Sequence, residues 1–322
     1  MTTARPFTRG DLAQLNAFVS AQAARVPQHV YLMTSDVAWR LPGSGPKQNL
    51  RLWHDDAGIA GFVWFEPFTG FEFEVRDDVG YGSPLAAEMI DWAEARRREF
   101  EPCYPRFVDL ESMEQWADEI LHPRAATEAD GLCLTTMAFE TDVARIASLE
   151  ARGYRATKHF TPDYRRDLAV PIPDARLPAG ICLRHVTEAD VDARVACHRA
   201  SWLKSTWSRA RYDEIRKSAC YDPELDIVLD VGNGTFASYC ICWADPATGV
   251  GSYEPVGTRP EWRGRGIGRE VIYEGLRRLR AKGMRKARVG TAGFNAPAQA
   301  LYESCGFERI CTCRTYMKVL DA

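Results

Sequence analysis

The chain repeats itself, and that repeat constrains its fold more than any single motif does. Arg5-Pro-Phe-Thr8-Arg-Gly-Asp11-Leu12 lines up with Arg184-His-Val-Thr187-Glu-Ala-Asp190-Val191. Each copy is a short extended segment, then Thr-x-x-Asp, then an apolar-periodic run. Thr8 and Thr187 fit as helix N-caps, and the acid three residues on completes a box-like start that suits the positive end of a helix. The two halves also close alike. Ile146-Ala-Ser-Leu149-Glu-Ala-Arg-Gly153-Tyr154 matches Ala298-Gln-Ala-Leu301-Tyr302-Glu-Ser-Cys-Gly306-Phe307 near its glycine, and Tyr164-Arg-Arg-Asp-Leu168 parallels Tyr316-Met-Lys-Val-Leu320. Between them, Ala169-Val-Pro171-Ile-Pro173-Asp-Ala-Arg-Leu-Pro178 carries three prolines in eight residues. Such a stretch builds neither a central strand nor a helix interior, so it reads as a linker. The expectation is one α/β unit used twice, over residues 1–170 and 181–322, joined across 171–180.

Length agrees, since 322 residues exceed what one core usually holds, about 250–300 residues. The hydrophobic and charged fractions, 46% and 26%, exclude wholesale disorder. A net charge of −3 gives no overall pull toward nucleic acid. No apolar run approaches the ~18 residues of a membrane span, and MTTARPFTRGDLAQ lacks the apolar core of a signal peptide, so the expected location is cytoplasmic. The ten cysteines sit mostly inside apolar stretches. The pairs Cys240/Cys242 and Cys311/Cys313 have no second ligand pair at zinc spacing, so they read as reduced core thiols, with no metal expected.

The second half predicts strand 181–186, helix 188–201, a helical stretch near 209–218, and strands 226–232, 236–243 and 250–257. A helix about 268–282, a strand 286–291, a helix 296–305 and two last strands, 307–313 and 315–320, follow. Turn-rich connections join the early strands and helices separate the later ones. The pattern is a mixed, mostly antiparallel sheet flanked by helices, an α/β (α+β) class.

Its sharpest segment runs from Glu254 through Val256-Gly257-Thr258 to Arg263-Gly264-Arg265-Gly266-Ile267-Gly268. Val271, Ile272, Gly275, Leu276 and Leu279 then mark one apolar helix face. A glycine-rich loop feeding a helix N-terminus presents amide N–H groups to an anion, and the helix dipole adds to the attraction. Arg263 and Arg265 bring positive charge to the same place. Locally this is either a diphosphate site or an arginine-rich helix start. The spacing is neither that of a P-loop nor that of a dinucleotide turn.

Asn295-Ala-Pro-Ala298-Gln-Ala-Leu301-Tyr302-Glu-Ser-Cys-Gly306-Phe307 follows about 30 residues after the loop. Here the chain resembles the GNAT N-acetyltransferase superfamily. Arg263, Gly266 and Gly268 fit its acyl-CoA loop, [Q/R]-x-x-G-x-[G/A]. Asn295, Ala298, Leu301, Tyr302, Gly306 and Phe307 fit its N-x-x-A-x-x-L-Y-x-x-x-G-F segment. The resemblance covers 181–322 clearly and the first half more weakly, a tandem layout similar to that of mycothiol synthases. It implies acetyl-CoA as acyl donor, held at its pyrophosphate by the amides from Arg263 to Gly268 and along its pantetheine arm by Val256, Gly257 and Thr258, with Asn295 facing that arm. It implies Tyr302 as general acid for the leaving thiolate. Glu254 stands where some members carry the carboxylate that takes the amine proton through water. A small-molecule amine is the implied acceptor, with neither nucleic acid nor membrane as partner. Trp202, Trp207, Tyr212, Tyr221 and Asp222 either line its cleft or fill the core, and Ser252 and Tyr253 stand beside Glu254.

The first half looks disarmed. Asp77 stands where Arg263 stands in the other copy, and a carboxylate repels a pyrophosphate. Leu149 takes the slot of Tyr302. Charge follows the same asymmetry: Arg263 to Arg288 holds ten Arg/Lys and two Glu, whereas Arg76 to Glu101 holds seven acids and four Arg. Residues 100–130, with Trp116, form an insertion without a counterpart. Alternatives left open by the sequence are a non-catalytic acyl-CoA-binding protein and a transferase using another acyl-CoA.

Overall fold

The computed structural model describes residues 2–43, 49–66, 70–99, 132–202 and 205–320. The expected insertion over 100–130 lies outside the described residues. The first half opens with β1 (Thr3–Pro6), α1 (Leu12–Arg25) and α2 (Thr34–Arg40), continues through β2 (Leu50–Asp55), β3 (Gly58–Glu66), β4 (Gly70–Val75) and α3 (Pro84–Glu99), and closes with β5 (Leu132–Phe139), α4 (Val143–Ala151) and β6 (Arg155–Asp167). The second half repeats the plan with β7 (Cys182–His185), α5 (Val191–Ser201), α6 (Arg209–Arg216), β8 (Asp226–Asp230), β9 (Phe236–Asp245), β10 (Val250–Thr258), α7 (Ile267–Ala281), β11 (Lys286–Gly290), α8 (Ala296–Ser304) and β12 (Glu308–Leu320).

The repeated helix starts share one device. Asp11 accepts from the Thr8 amide at 2.7 Å and hydroxyl at 2.8 Å, and takes the Arg5 guanidinium at 2.7 Å. Asp190 does the same with Thr187 at 2.9 and 2.6 Å and with Arg184 at 2.6 Å. In both copies the arginine and the threonine hold the carboxyl well below the usual carboxylate range. The helix therefore starts from a fixed anion rather than from a threonine alone.

One expectation fails at the C-terminus. Residues 308–320 form one strand of 13 residues, where two were expected. No glycine or proline stands near Arg314, so the irregularity is absorbed by register shifts against β6 at Arg309/Cys311 and Arg314/Tyr316. The strands sort into a four-stranded sheet, β1-β2-β3-β4, and an eight-stranded one, β5-β12-β6-β11-β10-β9-β8-β7. The last strand of each half is exchanged: β6 lies between β11 and β12, and β12 between β5 and β6. Tyr164 and Tyr316, matched in sequence, are both buried in this seam. The linker lies along α7, where the Arg277 guanidinium donates to the Pro173 carbonyl at 2.7 Å and Glu270 accepts the Arg176 amide at 3.0 Å.

The apolar face expected for α7 is seated: Val271, Ile272, Leu276 and Leu279 are fully buried in the second half's main core with Ile227, Leu229 and Phe307. Among the described residues all cysteines are free thiols. Cys240 and Cys242 lie buried with their sulfurs 3.6 Å apart in hydrogen-bond contact. No helix among the described residues is long and apolar enough to cross a membrane.

Candidate functional site

The site begins where two parallel strands part. β10 pairs with β11 only through Val250, Gly251 and Ser252, opposite Lys286, Ala287 and Arg288. On its other edge β10 stays bound to β9 as far as Thr258, with a register shift between Tyr253 and Val256. The edge of Val256, Gly257 and Thr258 that faces β11 is thus open, and an extended amide chain can pair with it. Gly257 is needed there because a Cβ would stand 2.6 Å from the Tyr239 ring on β9.

The glycine loop continues from that edge. Gly264 and Gly266 have φ of 73° and 77°, the left-handed region that an L side chain adopts only at a cost. Gly266 caps α7, and the amides of its first turn, Ile267 and Gly268 among them, have no partner inside the helix. The arginines divide their work. Arg263 donates to the Thr258 carbonyl at 3.1 Å and the Ser201 carbonyl at 2.9 Å, tying the loop to the ends of β10 and α5. Arg265 is exposed and lies over the Trp262 ring at 5.0 Å, leaving its charge at the mouth.

α8 brings the second motif to the first. A Cβ on Gly268 would stand 3.3 Å from Thr258 Oγ1 and 3.5 Å from Leu301 Cδ2. The open strand, the helix start and the residue before Tyr302 therefore meet at one point. Asn295 accepts the Ala298 amide at 3.3 Å and caps α8, so its side-chain oxygen is already engaged in holding that helix. Tyr302 is buried, 6.1 Å ring to ring from Tyr164 and from Phe307. Burial, and then the charge of Glu254, push its hydroxyl up. Glu254 is half-buried. Burial first, then the neighbouring Asp36 carboxylate, push it up to about 7, against a smaller opposing pull from Arg40.

Asp36 and Arg40 belong to the first half, and nothing in the sequence marked them. Ser35 Oγ shares a hydrogen bond with Ser252 Oγ at 2.9 Å, both residues buried, which seats α2 on β10. Ser252 thus faces the first half. Tyr253 turns the other way, donating to the Ile272 carbonyl at 2.9 Å within the core. Beside the opened strands, a cleft between the halves is lined by Tyr31, Glu72 and Asp163 of the first half and by Arg288, Gly290 and Cys313 of the second.

The aromatic residues expected either to line an acceptor cleft or to fill the core are mostly core. Trp207 and Tyr212 are buried around Arg194, whose guanidinium meets Asp226 at 2.9 Å with both side chains fully buried. The Tyr212 and Tyr221 hydroxyls donate to that same Asp226 at 2.5 and 3.1 Å. Asp222 caps a short turn through the Glu224 amide and pairs with Lys282 at 2.8 Å. Trp202 remains partly exposed, its indole donating to the Tyr239 hydroxyl at 2.7 Å.

The matching gap in the first half is filled. β4 and β5 lie in different sheets, and the fully buried Arg145 guanidinium bridges them. It donates to the Phe73 carbonyl at 2.6 Å, the Tyr81 hydroxyl at 3.0 Å and Thr136 Oγ1 at 3.5 Å, with the Tyr31 ring 3.8 Å away. Arg145 occupies the sequence position of Ala298, and Leu149, in the Tyr302 slot, is fully buried.

Residues 192–307 match the family model described as "Acetyltransferase (GNAT) family". The mycothiol acetyltransferase of Thermobispora bispora is 30% identical over 155 residues, 45% of this chain and 52% of that protein. That of Streptomyces avermitilis is 23% identical over 222 residues, 63% of this chain and 72% of that protein. The chain spans about half the length of the first curated relatives it matches. Among solved structures, a GCN5-related N-acetyltransferase from Sphaerobacter thermophilus aligns over 100% of this chain and 98% of its own, with TM-score 0.60 and 18% identity. A tandem GNAT protein from the clavulanic acid biosynthesis pathway aligns over 99% and 98%, with TM-score 0.61 and 15% identity. At these identities the likeness is one of fold, and it extends through both halves.

Proposed function

We propose that this chain, a member of the GNAT family, moves an acetyl group from acetyl-CoA to the primary amine of a small molecule, using the second half as the catalytic one. The observation that carries this reading is the meeting of the opened edge Val256–Thr258, the loop Arg263–Gly268, Tyr302 and Glu254. The loop amides and the N-terminus of α7 suit a diphosphate, with Arg265 adding charge at the mouth. The open edge suits the amides of a pantetheine arm. An ammonium is not a nucleophile, so a base must act first, and a carboxylate at about 7 is matched to that task near neutral pH. Glu254 would take the proton through a water. The free amine then attacks the thioester carbonyl, and the tetrahedral intermediate collapses by breaking the C–S bond. Tyr302, kept protonated by burial, would give its proton to the departing thiolate.

Direct attack is favoured over an acyl-enzyme by the state of Cys305, the thiol next to the Tyr302 motif. Cys305 is fully buried at the end of α8 and pushed up to about 11, so it carries almost no thiolate at neutral pH. In the first half, Arg145 stands where a pantetheine arm would lie and Asp77 where the loop arginine would be. That supports a half retained for the fold and for shaping the acceptor side. The relatives named mycothiol acetyltransferases support a small-molecule acceptor, and a cytoplasmic location belongs to the same proposal.

The test is CoA-thiol release from acetyl-CoA with a panel of amines: aminoglycosides, polyamines, amino acids, cysteinyl sugars and peptides. At least one amine should be acetylated, and Tyr302→Phe should lower kcat and alter the basic side of the pH profile. Binding of acetyl-CoA with no turnover on any amine would point to a non-catalytic acyl-CoA-binding protein. A Tyr302→Phe enzyme with unchanged rate and profile would remove the acid assignment.

A further inference from the structure

We infer that Asp36, on α2 of the first half, is a positioning residue for the reaction in the second half: its carboxylate holds the electrostatic setting in which Glu254 works. This rests on the reading of Glu254 as the base. By packing, α2 straddles the two halves, with Val37 in the first half's core beside Leu15 and Leu52. Ala38 lies in a core cluster with Val191, Trp207 and Trp243, and the Trp39 ring is 5.8 Å from Trp207 and 6.1 Å from His198. The Ser35–Ser252 bond fixes that helix two residues from Glu254. The Cys220 thiol, donating to the Thr34 carbonyl at 3.7 Å, pins its first residue.

Within α2 the two charges have different degrees of freedom. Arg40 is drawn away toward its own half, with Nε and Nη2 on Glu66 Oε1 at 3.0 and 2.8 Å and Nη1 3.9 Å from Glu72. Asp36 is held by the Met33 amide at 2.6 Å, a bond that orients one carboxylate oxygen. Its field reaches Glu254, Glu72 and Glu74, as well as Arg40 and Arg288. The groups that act on Glu254 are therefore Asp36 and Arg40 from α2, with Tyr302 coupled to it from α8. Of the two on α2 Asp36 is the stronger, and like charge keeps the Glu254 proton bound to higher pH. A base near neutrality in the second half thus depends on one carboxylate contributed by the first, which gives the otherwise silent half a part in the chemistry.

The experiment is the pH profile of kcat/KM for the full chain, with Asp36→Asn, Asp36→Glu and Glu254→Gln compared with wild type. Asn keeps an oxygen for the Met33 amide, so the helix start survives while the charge is lost. Its acidic limb should move down by on the order of one pH unit, with KM for acetyl-CoA unchanged, while Asp36→Glu keeps the wild-type limb. Thermal melts confirm that each variant is folded. If Asp36→Asn leaves the limb in place, whether or not KM for the amine rises, the inference is overturned; a raised amine KM alone would make Asp36 an acceptor contact. Glu254→Gln separates the two levels. If it keeps the wild-type limb, Glu254 is not the base. If it abolishes the limb while Asp36→Asn does not move it, only the role of Asp36 fails.

Discussion

Glu254→Gln should make the protein more stable at alkaline pH while removing its activity, and the size of that gain follows from the site. The ordinary value for the side chain is 4.5, and the folded environment pushes it up to about 7. Between those values the folded protein binds a proton that the unfolded chain has released, so stability falls as pH rises through that window. Above about pH 7 the cost is fully present, and below about pH 4 it is absent. A shift of that size at about 1.4 kcal/mol per pH unit gives an upper bound near 3.5 kcal/mol. Because Glu254 is only half-buried, screening reduces this to about 1–3 kcal/mol. Gln has the same shape and no charge. Urea unfolding at pH 4, 6, 7 and 8 should therefore show variant and wild type nearly equal at pH 4 and separating progressively, the variant ahead by that amount at pH 8. A difference independent of pH, or a variant less stable at pH 8, would refute the idea that an ionised Glu254 is held at a cost. The same carboxylate would then lack the poised proton affinity that the mechanism requires.

Two further outcomes follow from the way the halves are joined. Arg145→Met should cost about 1–3 kcal/mol in urea unfolding, since it leaves the buried Phe73 carbonyl and the Tyr81 hydroxyl without their donor. Calorimetry should find no added acetyl-CoA binding, because Asp77 and Leu149 remain; a gain of a second site would show that Arg145 alone closes that half. A fragment of residues 181–322 should fail to give a cooperative melt by itself, because β11 loses β6 from one edge and β12 loses both its partners, β5 and β6, while co-expression with 1–170 should restore it. A cooperative, acetyl-CoA-binding fragment would mean that β12 can close onto β11 directly.

What the sequence by itself determined is what short-range physics controls. The Thr-x-x-Asp starts, the apolar face of α7 and the glycine-rich loop that feeds its N-terminus each act over a few residues. Each leaves a pattern in residue type and spacing that can be read without a partner. The charge asymmetry between the halves was legible for the same reason. Tertiary structure alone decided the rest. The exchange of β6 and β12 pairs segments about 150 residues apart, and each strand shows the same alternation whether its neighbour comes from its own half or the other. Arg145 sits in an ordinary amphipathic stretch, and only the gap between β4 and β5 shows what its guanidinium fills. Trp207 and Tyr212 read equally well as cleft or core until Arg194 and Asp226 are seen buried between them. Asp36 lies on a seven-residue helix with no motif. It becomes part of the site because packing, not sequence proximity, brings its charge against Glu254, and an electrostatic interaction through a folded interior depends on distance in space rather than along the chain.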